Sequence, residues 1–148
     1  MIFFFYIIYI YMKNPNVWGP PAWHFLHSVT MNYPLNPGYN DKINYSNFFN
    51  NIQHILPCDK CKHGYKELLQ KYPITNYLNN KNDLVNWLIN IHNKVNIKLN
   101  KAEHTYDDMV QFINHPLHNK NPNENNNENY NENSNEYIYI IIIVLLII

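Results

Sequence analysis

The chain has 148 residues, of which 11 are Lys or Arg and 11 are Asp or Glu, so its formal net charge is zero. This length allows one modest domain, and the balanced charge with no basic block argues against a nucleic-acid partner. With only 3 glycines and no GxGxxG or Walker-type motif, a Gly-rich phosphate loop is disfavoured. A nucleotide cofactor would have to be held by side chains and helix faces.

Composition divides the chain into four segments. Residues 1–12 are apolar throughout, 13–116 are mixed as in a globular domain, 117–136 are rich in Asn and Glu, and 137–148 are apolar again. We predict that 117–136 is a disordered linker, because it lacks the apolar groups to build a core; codon bias in an AT-rich genome would produce the same tract without function. Both apolar runs are shorter than the roughly 20 residues of a spanning helix. The first makes a poor signal peptide, and the last is a candidate tail anchor for membrane attachment.

The first half of the globular segment predicts two helices. The first begins at Pro20 and Pro21, which suit an opening helical turn, and ends at Tyr33 before a proline. A second helix is predicted from about Asp41 or Ser46. Its apolar side carries Tyr45, Phe48, Phe49, Ile52, Ile55 and Leu56.

The second half predicts three more helices. One begins at Pro57 and breaks at Tyr72 before another proline. The next starts near Asn82 or Asp83, runs to Asn100, and has the clearest helical stripe; this consists of Leu84, Trp87 or Leu88, Ile91, Val95 and Leu99. Thr105 and Asp108 resemble a capping box that opens a short fifth helix through Met109, Phe112 and Ile113. Because the globular segment has no period-two strand pattern, we predict an all-α helix bundle.

The only two cysteines, Cys58 and Cys61, lie together in LPCDKC at the start of the third predicted helix. There they meet unpaired backbone N–H groups and the positive end of the helix dipole, which favours the reactive thiolate. An intramolecular disulfide has one possible connectivity. We therefore expect the chemistry of the protein at this pair.

Four interpretations of the CxxC compete. A structural zinc site needs four ligands, and although His54 and His63 lie nearby, no second ligand pair is present. A c-type haem requires His after the second cysteine, where Lys62 stands. A thioredoxin-like site expects a βαβ context. A redox-active dithiol in a helix bundle is the favoured interpretation, and it implies an organic cofactor as electron acceptor. A passive interaction module would keep the apolar stripe but need no CxxC.

Two clusters on inward helix faces point to the kind of cofactor. Trp23 and His27 are four residues apart on the first predicted helix, and His92 and Asn96 are four apart on the fourth. Taken singly, each is explained by ordinary core packing. Together with lysines at the end of the fourth helix, they suit a flat heteroaromatic ligand that carries a pyrophosphate.

Four motifs, WGPPAWHFLH, NYP, LPCDKC and HNKVNIKLNK, occur in this order over about Val17 to Lys101. In order and spacing they resemble the Erv/ALR family of FAD-linked sulfhydryl oxidases, most of all its short viral members. The resemblance implies a four-helix bundle with a short fifth helix that binds FAD at the bundle mouth, and a homodimer. It also implies a thiol oxidase acting in a viral assembly site, the host cytoplasm or the virion.

The resemblance further implies roles for individual residues. Cys61 resembles the flavin-proximal thiol and Cys58 the distal thiol that meets the substrate. Electrons would pass from substrate dithiols through this pair to FAD and then to O2, giving H2O2. The positions implied to contact FAD are Gly19, Trp23, His27, Tyr33, His92, Asn93, Val95, Asn96, Lys98 and Lys101.

The chain departs from many relatives because it has neither a shuttle cysteine pair nor a second disulfide. We therefore expect substrate thiols to reach Cys58 directly, on a thiol-bearing protein such as a thioredoxin-like carrier. Without a further cross-link, stability should depend on bound FAD and on dimer packing.

Overall fold

The structure is a computed structural model that describes residues 9, 11 and 13–114. The predicted linker at 117–136 and the apolar run at 137–148 lie outside the described residues, as does most of 1–12. The elements in chain order are α1 (Pro15–Met31), α2 (Tyr39–Ile55), α3 (Asp59–Lys71), a 3-10 helix (Ile74–Tyr77), α4 (Lys81–Lys98) and α5 (Tyr106–Asn114). This part of the chain contains no strand, and the predicted four-helix bundle with a short fifth helix is confirmed.

The prediction that α1 begins at Pro20 is wrong. The helix begins at Pro15, where the side-chain oxygen of Asn14 accepts a hydrogen bond from the Asn16 N–H at 3.0 Å. An Asn cap followed by Pro at the first helical position is a stronger start signal than an internal proline pair. Pro20 and Pro21 therefore lie inside α1, where they remove two backbone donors.

The core lies between α1, α2, α3 and α4, and two ring groups connect the helices through hydrogen bonds to backbone carbonyls. The Trp87 indole N–H of α4 donates to the carbonyl of Tyr72 at 2.9 Å, and the Tyr65 hydroxyl of α3 donates to the carbonyl of Phe49 at 3.1 Å. The fully buried apolar side chains at the centre include Phe49, Leu84, Leu88 and Ile91.

Two residues of the predicted apolar faces are exposed instead. Ile55 is 75% exposed and Leu99 is 58% exposed. Both stand where a helix ends, Ile55 as the last residue of α2 and Leu99 as the C-cap of α4. The helical period overextends the α4 stripe by one position, because Leu99 follows the last residue of that helix. On α2 the next predicted residue, Leu56, still packs against the core, so Ile55 alone turns outward.

The loop after α4 turns back toward that helix and leads into α5. Asn100 takes a left-handed conformation with φ of 55°, as is common just after a helix. The predicted capping box is confirmed, since the Thr105 N–H donates to the Asp108 carboxylate at 2.6 Å and the Asp108 N–H donates to the Thr105 hydroxyl at 3.2 Å. Met109 then packs on α4.

The unpredicted element is the 3-10 helix, which follows Pro73 and places Ile74 in the core. None of the described helices has both the length and the apolar composition needed to cross a membrane.

Candidate functional site

Cys58 and Cys61 form a disulfide at the N-terminus of α3, with their Cα atoms 5.1 Å apart. Cys58 is the N-cap residue, so the helix begins two residues later than predicted. The Cys61 N–H donates to the sulfur of Cys58 at 3.2 Å. Both residues are partly exposed. The pair therefore combines access from solvent with backbone N–H groups that stabilise a thiolate when the bond opens.

The lysines around the disulfide lie at the surface. Lys62 pairs with Asp59 at 3.3 Å, where the Asp59 side chain is largely exposed, and Lys60 is exposed. Exposed pairs of this kind contribute little energy. In the described part of the chain, no three His, Cys, Asp or Glu side chains are grouped so that they could hold a metal ion.

A stack of rings forms where α1 meets α4. The indole of Trp23 and the imidazole of His92 lie 4.0 Å apart between centroids, with only 10° between their planes. The ring of His27 lies 6.0 Å from Trp23 and 5.3 Å from His92. The two faces predicted from the sequence, one on each helix, are thus brought together.

Within this stack the two imidazoles form a hydrogen bond, with Nε2 of His27 3.0 Å from Nδ1 of His92. Burial lowers the pKa of His27 to about 4, with smaller contributions from the charges of His104 and His24. Burial likewise lowers the pKa of His92 to about 3, helped by the charges of His27, His104 and Lys101. Both rings are therefore neutral at pH 7.

The direction of this hydrogen bond follows from the other nitrogen of His27. Its Nδ1 is buried without a hydrogen-bond partner. An unpaired buried N–H is rarer in proteins than an unpaired acceptor, so we assign the His27 proton to Nε2, which donates to Nδ1 of His92. This assignment leaves the single ring proton of His92 on its Nε2.

Helix α1 carries further features that suit a ligand with polar ring edges. Besides Nδ1 of His27, the indole nitrogen of Trp18 and Nε2 of His24 are buried without a partner, and all three belong to α1. Each buried polar atom without a partner lowers the free energy of unfolding by about 1–3 kcal/mol. A Cβ added at Gly19, which is buried, would meet no atom within 4 Å, so protein packing does not fill that space. Unpaired ring nitrogens and an open space on α1, with the ring stack between α1 and α4, fit the chemistry of a heteroaromatic cofactor such as FAD.

Asn93 and Asn96 are buried on α4, but their side chains bind the following loop. The amide of Asn93 donates to the carbonyl of His104 at 2.9 Å and accepts from the His104 N–H at 2.8 Å. The amide of Asn96 donates to the carbonyl of Ala102 at 3.1 Å. Both residues therefore fix the loop after α4 next to the ring stack.

The remaining predicted site residues lie elsewhere. Tyr33 is buried in the core, where its hydroxyl donates to the carbonyl of Leu78 at 2.9 Å and its ring meets Tyr45 edge-on. Val95 packs, partly buried, against the core. Lys98 pairs with Glu67 of α3 at 3.5 Å, and Lys101 is exposed in the loop, from where its charge lowers the pKa of His92.

His104 is a site residue that the sequence did not indicate. Its ring lies 5.3 Å from that of His92, although it follows an irregular loop, so no helical spacing relates the two positions. Trp18 and His24 were missed as well. The sequence shows their spacing on α1. It does not show which side of that helix meets α5, where His24 packs edge-on against Phe112, because this depends on tertiary structure.

An all-α bundle that holds a CxxC disulfide at a helix N-terminus and a tryptophan–histidine stack between two helices defines a class of small redox proteins. The model of the Erv1 / Alr family matches residues 20–115. The chain belongs to this family, and the predicted resemblance is confirmed.

Named relatives agree with this membership. A probable FAD-linked sulfhydryl oxidase of Acanthamoeba polyphaga mimivirus is 42% identical over 101 residues, which cover 68% of this chain and 71% of the relative. An FAD-linked sulfhydryl oxidase of African swine fever virus is 37% identical over 84 residues, which cover 57% of this chain and 69% of the relative. Among solved structures, the FAD binding domain of Erv1 from Saccharomyces cerevisiae is 29% identical with a TM-score of 0.59, over 63% of this chain and 87% of that one.

Proposed function

We propose that this protein is an FAD-linked sulfhydryl oxidase that forms disulfides in substrate proteins. The observation that carries the proposal is the Cys58–Cys61 disulfide at the N-terminus of α3, in a fold whose similar relatives are named for this activity. A redox disulfide in a helix bundle needs an electron acceptor that the side chains do not supply.

The residues that would hold FAD are those of the ring stack, Trp23, His27 and His92. Their rings offer stacking surfaces, and the unpaired ring nitrogens on α1 offer hydrogen bonds to a polar ring edge. Lys101 supplies a positive charge next to His92 that suits a phosphate. Bound FAD would supply the two-electron acceptor chemistry that reoxidises the dithiol, with O2 as the final acceptor and H2O2 as the product.

The protein's own steps take place at the two sulfurs. A substrate thiolate attacks the sulfur of Cys58, the Cys58–Cys61 bond breaks, and Cys61 leaves as a thiolate. The thiolate lies in the first turn of α3, where the helix dipole stabilises its negative charge. A second substrate thiolate then attacks the substrate sulfur of the mixed disulfide. It forms the product disulfide and releases Cys58, so that two electrons have passed from the substrate to the protein.

The position of Cys58 supports its role as the attacked sulfur. It precedes the first turn of α3 and follows Pro57, which is exposed, whereas Cys61 stands within the helix. No free cysteine exists among the described residues that could carry electrons to the pair. The substrate therefore meets Cys58 directly, and a thiol-bearing carrier protein with a thioredoxin-like fold would have the small, exposed dithiol that this geometry requires.

The proposal is tested by the visible spectrum of the purified protein and by its O2 consumption with a dithiol. We expect a yellow protein that consumes O2, and a Cys61→Ser variant that stays yellow but loses turnover. Ser28→Ala serves as a matched control, because that hydroxyl only bonds the backbone of its own helix. A colourless protein that cannot be loaded with FAD, or full oxidase activity in Cys61→Ser, would contradict the proposal.

We also propose that the protein is a homodimer that pairs through the side of α1 and α2 that carries Phe25 and Phe48. Phe25 is 57% exposed, and its ring meets that of Phe48 edge-on with centroids 6.1 Å apart. An exposed aromatic ring beside a second, partly buried one favours burial against a second copy. Sedimentation should show a dimer for the wild type and a monomer for Phe25→Asp. A monomeric wild type at micromolar concentration would exclude this interface.

Viral relatives support a viral or host-cell setting for the protein, and we propose the assembly site or the virion. Membrane attachment through 137–148 stays a prediction, because these residues lie outside the structure. Carbonate extraction of membranes separates inserted from peripheral protein, and complete release of the full chain would exclude an anchor.

A further inference from the structure

The loop after α4 is tied to that helix at two points. The Asn93 amide uses both its nitrogen and its oxygen on the backbone of His104, at 2.9 and 2.8 Å. About one turn further on, the Asn96 side-chain amide donates to the carbonyl of Ala102. The backbone carbonyl of Asn96 accepts from the Lys101 N–H at 2.9 Å. The loop is thus attached to α4 by hydrogen bonds of two asparagines, through both side chains and the Asn96 backbone carbonyl.

This attachment places a third imidazole against the ring stack. The ring of His104 lies 5.3 Å from that of His92 and is tilted by 51° to it. His92 therefore contacts three rings, those of Trp23, His27 and His104. Any change in the position of His104 must alter the packing around His92.

We infer that His104 is a positioning residue for the proposed FAD site, acting through His92, and that the Asn93 amide holds it in place. The inference rests on the proposed function, since it concerns the same site. His92 stands on α4, the loop after α4 supplies the ring of His104, and α1 supplies the rings of Trp23 and His27. These three chain segments hold His92 in a single orientation. A flat cofactor then meets a His92 ring that is already oriented.

Charge gives this positioning role a measurable signature. The titratable and charged groups around the stack are His24 and His27 of α1, Lys101 of the loop, and Asp108 of α5. A positive charge at His104 lowers the pKa of both His27 and His92. It therefore helps to keep the hydrogen-bonded imidazole pair neutral as the solution becomes acidic.

The test compares FAD affinity and the pH of FAD release in two His104 variants. Because Asn93 binds only the backbone of His104, both hydrogen bonds can persist in His104→Ala and His104→Phe. We expect His104→Ala to weaken FAD binding about tenfold through the lost ring contact. His104→Phe should bind FAD nearly as well at neutral pH. On acidification it should release FAD at a pH about half to two units higher than the wild type, because the positive charge is gone.

His54→Ala, an exposed histidine of α2, is the matched control and should change neither quantity. A wild type that takes up no FAD would contradict the proposed function itself. If the wild type binds FAD and His104→Ala binds it equally well, only the present inference is overturned. A release pH for His104→Phe equal to that of the wild type also overturns it, since a purely structural ring would behave in that way. Should His104→Ala fail to fold, His104→Phe decides alone.

Discussion

Nε2 of His27 lies 3.0 Å from Nδ1 of His92, and this contact joins two buried imidazoles of α1 and α4 that are 65 residues apart in sequence. In the direction assigned above, Nδ1 of His92 accepts this hydrogen bond, so the contact holds only while that nitrogen is unprotonated. Stability, protonation and cofactor binding are therefore coupled at a single hydrogen bond.

The stability of the protein should fall in acid because of this pair. The pKa of His27 is lowered to about 4 and that of His92 to about 3, from an ordinary 6.5. Below pH 6.5 the unfolded chain binds protons that the native state does not, so the free energy of unfolding decreases as the pH falls toward 3. The contribution is fully present above pH 6.5.

The expected slope is at most about 1.4 kcal/mol per pH unit for each histidine. Urea unfolding at several pH values measures it, and His27→Gln/His92→Gln should flatten the curve between pH 6 and pH 4. His54→Ala, which replaces an exposed imidazole, should not. Equal slopes in wild type and double variant would show that the pair is protonated in the folded state.

The proton of this hydrogen bond should reside on His27. Nitrogen-15 NMR of labelled protein at pH 7 should show both rings neutral and both in the Nε2–H form, because Nδ1 of His27 has no partner for a proton. A His92 ring in the Nδ1–H form would reverse the direction assigned here.

Replacing one cysteine at a time should distinguish the two sulfurs. In Cys61→Ser, the Cys58 thiolate can attack an activated disulfide on a carrier protein that has a single cysteine, which forms the mixed disulfide and releases the activating thiol; neither protein then has a second thiol to resolve it. Non-reducing gels with such a carrier should therefore show a long-lived adduct for Cys61→Ser and little for Cys58→Ser. Stronger trapping by Cys58→Ser would assign the attacked sulfur to Cys61.

His92→Ala should weaken FAD retention, since it removes the ring that stacks on Trp23 at 4.0 Å. Flavin absorbance per protein after extensive dialysis measures this. Ser28→Ala should retain the wild-type ratio, because the Ser28 hydroxyl donates only to the backbone carbonyl of His24. Unchanged flavin content in His92→Ala would remove this residue from the site.

Two leucines of one predicted stripe should behave differently. Leu88 is fully buried, so Leu88→Ala should lower the free energy of unfolding by about 2–5 kcal/mol. Leu99 is 58% exposed at the C-cap of α4, so Leu99→Ala should change it by no more than about 0.5 kcal/mol. Denaturant unfolding of both variants measures the contrast, and equal losses would mean that Leu99 is buried in solution.

The helices of the bundle were predictable because apolar period and local caps act over short distances. The Thr105–Asp108 box and the breaks before prolines appear as expected. The start of α1 at Pro15 was missed because the sequence offers two proline signals, and the Asn14 cap decides between them. Exposure at Ile55 and Leu99 could not be read from periodicity, which does not show where a helix ends against its neighbours.

The sequence by itself determined the helical class, the single possible disulfide and the candidate site residues Trp23, His27 and His92, since these depend on residue type and on spacing along one helix. Only the tertiary structure decided how α1 and α4 meet. That packing paired His27 with His92, stacked Trp23 on His92 and brought His104 beside them, while it placed Tyr33 in the core and engaged Asn93 with the loop. Contacts between distant segments depend on how whole helix faces pack, and no local pattern encodes their distances.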